Sequence, residues 1–136
     1  MPAFTSQNSE QLSWMIADLQ KLQGVQSALV VASDGMLITH SDGIGRDKAE
    51  RLAASVSGMV ALGMAARECF DNRPLSQIAY EFDGAMLLVT SVGQARNALI
   101  AALTEPGADV GVVGSTMASL APSIASQLDV ADRSVR

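Results

Sequence analysis

A chain of 136 residues, 49% hydrophobic and 17% charged, has the length of one domain and is too apolar to be disordered. Nine Lys and Arg against fourteen Asp and Glu give a net charge of −5 and a pI near 4.6, which excludes the clustered cations needed for a nucleic-acid footprint or an anionic membrane surface. With a mean hydropathy of +0.25, so few charges leave the surface poor in charge for a soluble monomer.

Residues 1–8 and 131–136 are polar and read as flexible tails around a single domain, 9–130. Asn8 or Ser9 caps a first predicted helix, whose apolar residues Leu12, Met15, Ile16, Leu19 and Leu22 recur at helical spacing up to a stop at Gly24. Residues 25–32 form a β-rich run, Ser33-Asp34-Gly35 a turn, and 36–40 a second strand. Asp-Gly between two apolar runs signals a hairpin, because its central positions must tolerate positive φ. Asp47 and Glu50 stand at capping-box spacing and open the longest predicted helix, which runs to about residue 70 before Arg73-Pro74. Strands follow at 75–81, 85–91 and 97–103, joined by Asp83-Gly84 and Gly93-Gln94. After Pro106-Gly107, Asp109 caps a last helix to about residue 128, with Pro122 inside it as a kink. Three consecutive strands joined by tight turns make an antiparallel meander. The order α-β-β-α-β-β-β-α therefore predicts an α+β fold with a single five-stranded antiparallel sheet and three helices.

The central helix holds LAASVSGMVALGMAA, residues 52–66, fifteen positions without a charge. Leu52, Val56, Met59, Gly63, Ala66 and Phe70 keep helical spacing and are expected to pack on the sheet. The flanks are apolar or small as well: Ala53, Ser57, Val60 and Met64 on one side, Ala54, Gly58, Ala61 and Ala65 on the other. A helix apolar nearly all round must be buried nearly all round, and a chain this small covers one side of it. The small residues Ala54, Gly58, Ala61 and Ala65 let another backbone approach closely, so this face is expected to meet another chain, most simply its own twin across a two-fold axis. The alternative is a helix enclosed completely within one chain.

Enzymatic constellations are missing. Neither Lys21, which follows Gln20, nor Lys48, which follows Asp47, belongs to a phosphate-binding loop. Gly43-Ile44-Gly45 lacks the third glycine of a dinucleotide fingerprint. His40 and Ser41 are adjacent in an extended run and point to opposite faces, so they do not form a triad with Asp42. One histidine and one cysteine do not make a zinc site. Glu68, Asp71, Glu81 and Asp83 fall at turns and helix ends, where solvated charge is the ordinary role. No catalytic residue, cofactor or metal is expected. The lone Cys69 cannot close a disulfide within the chain, the start MPAFTSQNSE has no signal-peptide pattern, and no run approaches the roughly 20 apolar residues of a membrane span. The expected location is the cytoplasm, with no direct membrane insertion and any membrane association made through partners.

Three segments carry a family likeness: LQKLQGVQSALVVASDGMLITHS, LAASVSGMVALGMAA and ADVGVVGSTMASL. Their order, with Gly24-Val25 entering the first strand and Asp34-Gly35 in the hairpin, resembles the roadblock (dynein light chain roadblock) family over about residues 12–128. The chain looks most similar to small actinobacterial members encoded beside a sensor-kinase-like protein and a small Ras-like GTPase. The resemblance implies a profilin-like roadblock fold and a homodimer that pairs central helices and third strands. It places an edge strand at 75–80 and an interface at Ala54, Ser57, Gly58, Ala61, Met64, Ala65, Leu75, Gln77, Ile78 and Tyr80. It also implies a non-catalytic scaffold that binds the GTPase across the central helices and modulates its hydrolysis, with the sensor-kinase-like protein as a further partner. The alternatives are a scaffold without effect on hydrolysis and a small-molecule sensory domain of the PAS-like or profilin-like sort, which needs a cavity. An arginine finger from Arg67 or Arg73 is conceivable on chemical grounds alone; a solvated helix end is the simpler reading.

Overall fold

A computed structural model describes residues 6–92 and 98–135. Helix α1 (Ser6–Gln20) leads into β1 (Val25–Ala32) and β2 (Leu37–His40); α2 (Arg46–Ala65) continues as a 3-10 turn, Ala66–Phe70; β3 (Gln77–Phe82), β4 (Ala85–Val92) and β5 (Ala98–Thr104) precede α3 (Val110–Val135). The five strands form one antiparallel sheet in the order β2-β1-β5-β4-β3. The expected fold class and element order hold. The Gly93-Gln94 turn and Asn97 lie outside the described residues.

Alternation along the strands divides the core into two layers. Ala28, Val30, Leu88, Ile100 and Ala102 face Leu12, Ile16 and Leu19 of α1 and Val113, Met117 and Ile124 of α3. On the other face Leu29, Val31, Leu87, Val89, Leu99 and Ala101 meet only Ala49, Ala53 and Val56 as fully buried residues of α2. Two helices thus cover one face and one helix the other. A turn at Gly35 (φ 93) closes the β1–β2 hairpin. Gly24 (φ 85) ends the turn after α1; a Cβ there would fall 2.5 Å from Ala108 Cβ, so the approach to the α3 entry requires glycine.

Several local expectations are corrected. Helix α1 begins at Ser6, ahead of Asn8 and Ser9. The N-cap of α2 is Gly45, in extended conformation and with no side-chain cap. Asp47 is therefore already helical, where its charge favours the N-terminal dipole, and Glu50 reaches Arg46 (3.9 Å) rather than back to a capping partner. The helix changes to 3-10 geometry at Ala66 and stops at Asp71 and Asn72, both left-handed (φ 54 and 58), ahead of Arg73-Pro74. That tighter winding applies only from Ala66 onward. Ala66 and Phe70, expected on the sheet, are exposed, while Ala53 and Val60, expected on a flank, pack with the core. Helix α3 is helical through Val135, into the segment read as a tail. Its Asp109 cap is present, Oδ1 accepting from the Val112 amide at 3.2 Å. Pro122 lies on the exposed side, where water can satisfy the carbonyl left free one turn back.

Candidate partner interface

Beyond Ala49, Ala53 and Val56, α2 is half-buried or exposed. The expectation that one chain covers only one side of this helix holds, and complete enclosure is ruled out. Ala54, Gly58, Ala61, Met64 and Ala65 are all exposed, and a Cβ built on Gly58 meets nothing within 4 Å. Ser57 is half-buried and donates to the Ser33 carbonyl at 2.6 Å, tying the helix flank to the β1–β2 hairpin. No charge interrupts residues 52–66. Arg46, Asp47, Glu50 and Arg51 stand before the run, Arg67 and Glu68 after it.

The second part of the face is β3, at the sheet edge. Ile78 pairs with Val89 and Tyr80 with Leu87, both residues of the α2-side core, so Ile78, Tyr80 and Phe82 share the face on which α2 lies. Tyr80 is 40% and Phe82 57% exposed, their ring centroids 6.5 Å apart. Gln77 points to the opposite face, beside Gly114 of α3, and its Nε2 donates to Thr90 Oγ1 at 3.2 Å. Leu75 is half-buried against Gly63, which joins the strand entry to the helix. Met64, Leu75 and Ile78 meet where α2 approaches β3, Ala54, Gly58, Ala61 and Ala65 lie on the exposed part of α2, and Gln77 faces the α3 side. Exposed apolar residues outside the predicted set include Leu62 (73%) on α2, Phe70 just after it and Phe82 on β3. The signal for Phe82 was available, since it continues the alternation Ile78, Tyr80, Phe82. An unpaired strand edge beside such residues is a template for pairing with another chain. At their present exposure, covering Leu62 and Phe82 would contribute on the order of 1–2 kcal/mol each.

The polar side chains singled out elsewhere bond to backbone or are exposed. Ser41 Oγ accepts from the Ala28 amide at 2.9 Å and His40 Nδ1 donates to the Ser41 carbonyl at 2.8 Å, so neither side chain is aimed at the other. Among the described residues no group of three or more His, Cys, Asp or Glu could hold a metal. None of their helices is long and apolar enough to cross a membrane. Cys69, Glu68, Asp71, Glu81 and Asp83 are exposed. Arg67 is half-buried, donating from Nη2 to the Asn72 carbonyl (2.6 Å) and from Nε to the Arg73 carbonyl (2.9 Å). A surface groove of about 460 Å³ lies between α2 and the Pro74-Leu75 segment, lined by Ser57, Ala61, Met64 and Arg67 among others.

An antiparallel sheet with two helices on one face and a single, partly uncovered helix on the other defines the roadblock or profilin-like class of α+β domain. Residues 12–104 match the family model described as Roadblock/LC7 domain, and the chain belongs to that family. It is similar to a Roadblock/LC7 domain from Streptomyces avermitilis at 31% identity and a TM-score of 0.79, over 86% of this chain and 97% of that one. The fold is shared with an MglB of tetrameric arrangement (17% identity, TM-score 0.85, 96% and 98% covered). It is shared also with the gliding protein MglB of Thermus thermophilus (16% identity, TM-score 0.83, 95% and 98% covered). No curated protein matches the chain.

Proposed function

We propose that this protein is a non-catalytic homodimeric regulator that binds a small Ras-like GTPase and modulates its GTP hydrolysis. The observation that carries the reading is the face formed by α2 and β3: helix residues 54–65 are largely exposed and uncharged, and they adjoin a free strand edge bearing Tyr80 and Phe82. A twin chain that pairs β3 with β3 would extend the sheet and bring the two α2 helices side by side, with Gly58 and Ala61 permitting close approach. The paired helices would then offer a small-residue surface to a partner. Family membership supports this, since the resemblance implies scaffolds and GTPase-binding relatives.

Arg67 supports a regulatory role rather than a catalytic one, because its guanidinium is engaged by two carbonyls of its own chain. In this reading the GTPase supplies the chemistry and the dimer reshapes its switch loops. A sensor-kinase-like protein is the natural third component. The test is co-elution with a purified small Ras-like GTPase of the kind the resemblance implies, loaded in turn with GDP and a non-hydrolysable GTP analogue. Nucleotide-dependent binding is expected; absence of binding in both states would sink the proposal.

A further inference from the structure

We infer that Arg67 is a positioning residue for self-association: by stapling the left-handed turn at Asp71 and Asn72, it sets the angle at which β3 leaves α2. This rests on the homodimer reading above. The two halves of the candidate interface are separated by one short junction. Ala61, Met64 and Ala65 stand just before it, and Leu75, Ile78 and Tyr80 just after. Within it, Asp71 and Asn72 adopt φ 54 and 58, the left-handed region that Asp and Asn enter more readily than other L residues, ordinarily one residue at a time.

Five hydrogen bonds hold that turn, two of them from the Asp71 amide to the Arg67 carbonyl and from the Arg73 amide to the Phe70 carbonyl at 3.1 Å. The Asn72 amide donates to the Arg67 carbonyl at 2.9 Å, Arg67 Nη2 donates to the Asn72 carbonyl at 2.6 Å, and Nε donates to the Arg73 carbonyl at 2.9 Å. A guanidinium grips two successive carbonyls at fixed geometry, which the point charge of a lysine cannot reproduce. Past the turn, Pro74 and Leu75 come back to the helix, and Leu75 seats at the missing side chain of Gly63. Without the staple, this strained junction has less to hold it against other turns, and the strand edge would lose its fixed relation to the helix face.

The experiment is sedimentation velocity over a concentration series on the full chain, comparing wild type, Arg67→Lys, Arg67→Gln, and Arg67→Gln combined with Asp71→Gly and Asn72→Gly. Both single variants should keep a wild-type far-UV circular dichroism spectrum yet dimerise more weakly by roughly tenfold or more. The added glycines adopt positive φ without strain and should restore most of the loss. A dimeric wild type with an unchanged dissociation constant in Arg67→Gln overturns this inference alone. A loss that the glycines fail to restore overturns it too, since Arg67 would then act by contact and not through the turn. If both single variants unfold, Arg67 is a determinant of the fold and the inference is wrong. A wild type that stays monomeric throughout contradicts the homodimer reading itself, and this inference with it.

Discussion

Gly63 of α2 and Leu75 ahead of β3 stand so close that a Cβ on Gly63 would lie 2.9 Å from Leu75 Cδ2. Gly58, five residues earlier on the same helix, meets nothing. Alanine in a helix interior is favoured over glycine by about 1 kcal/mol. Gly58→Ala should therefore stabilise the isolated chain by about that amount, raising its Tm by roughly 3 °C, while crowding the close approach of a second helix and weakening self-association. Gly63→Ala should gain less, because Leu75 must move. Thermal denaturation at low protein concentration, set beside sedimentation, separates the two effects. Equal gains at both positions would mean that the Gly63–Leu75 contact carries nothing.

Ala61→Arg places a charge in the middle of the uncharged face. Ala61 is exposed, so the chain should fold with unchanged far-UV circular dichroism and run as a monomer on size exclusion. Collapse of the fold would show instead that this side of α2 is core.

Because residues 52–66 carry no charge, association through this face should depend little on salt. Between about 0.05 and 0.5 M NaCl the dimer dissociation constant is expected to change by less than about threefold. A steep weakening would place the contact on the charges that flank the run, Arg46, Asp47, Lys48, Glu50 and Arg51 before it or Arg67 and Glu68 after it.

Ser27 is fully buried in β1, and its Oγ has no hydrogen-bond partner among the described residues. An unsatisfied buried hydroxyl costs about 1–3 kcal/mol. Ser27→Ala removes that cost and leaves a gap of one oxygen atom, so the variant should be more stable by about 1 kcal/mol in chemical denaturation. A destabilised variant would reveal a partner that this packing does not show.

The sheet was largely legible in the amino-acid pattern. Strand β1 lies at 25–32 as the β-branched run predicts, and the Asp-Gly turns at 34–35 and 83–84 fall between paired strands. The uncovered helix was legible because an uncharged run of fifteen residues exceeds what one sheet can bury. The ends of α2 were not. A backbone cap at Gly45 leaves no side-chain signature, so Asp47 and Glu50 imitated a capping box. The helix winds as 3-10 from Ala66, and in the turn that follows Arg67 reaches the carbonyls of residues 72 and 73. Such a bond between a side chain and a distant backbone carbonyl has no sequence period. Phe70, expected in the core, lies at the surface. On β3, the resemblance groups Gln77 with Ile78 and Tyr80, although alternation sends its side chain to the α3 side.

The account is tested most directly by multi-turnover GTP hydrolysis by a small Ras-like GTPase that binds this protein, measured alone, with the wild-type protein and with Ala61→Arg. The wild-type protein should change the rate in proportion to its concentration until saturation, and Ala61→Arg should leave the GTPase at its intrinsic rate. A rate that wild type and variant alter equally would contradict the assignment of the α2 face, and a rate that neither alters would contradict the regulator itself.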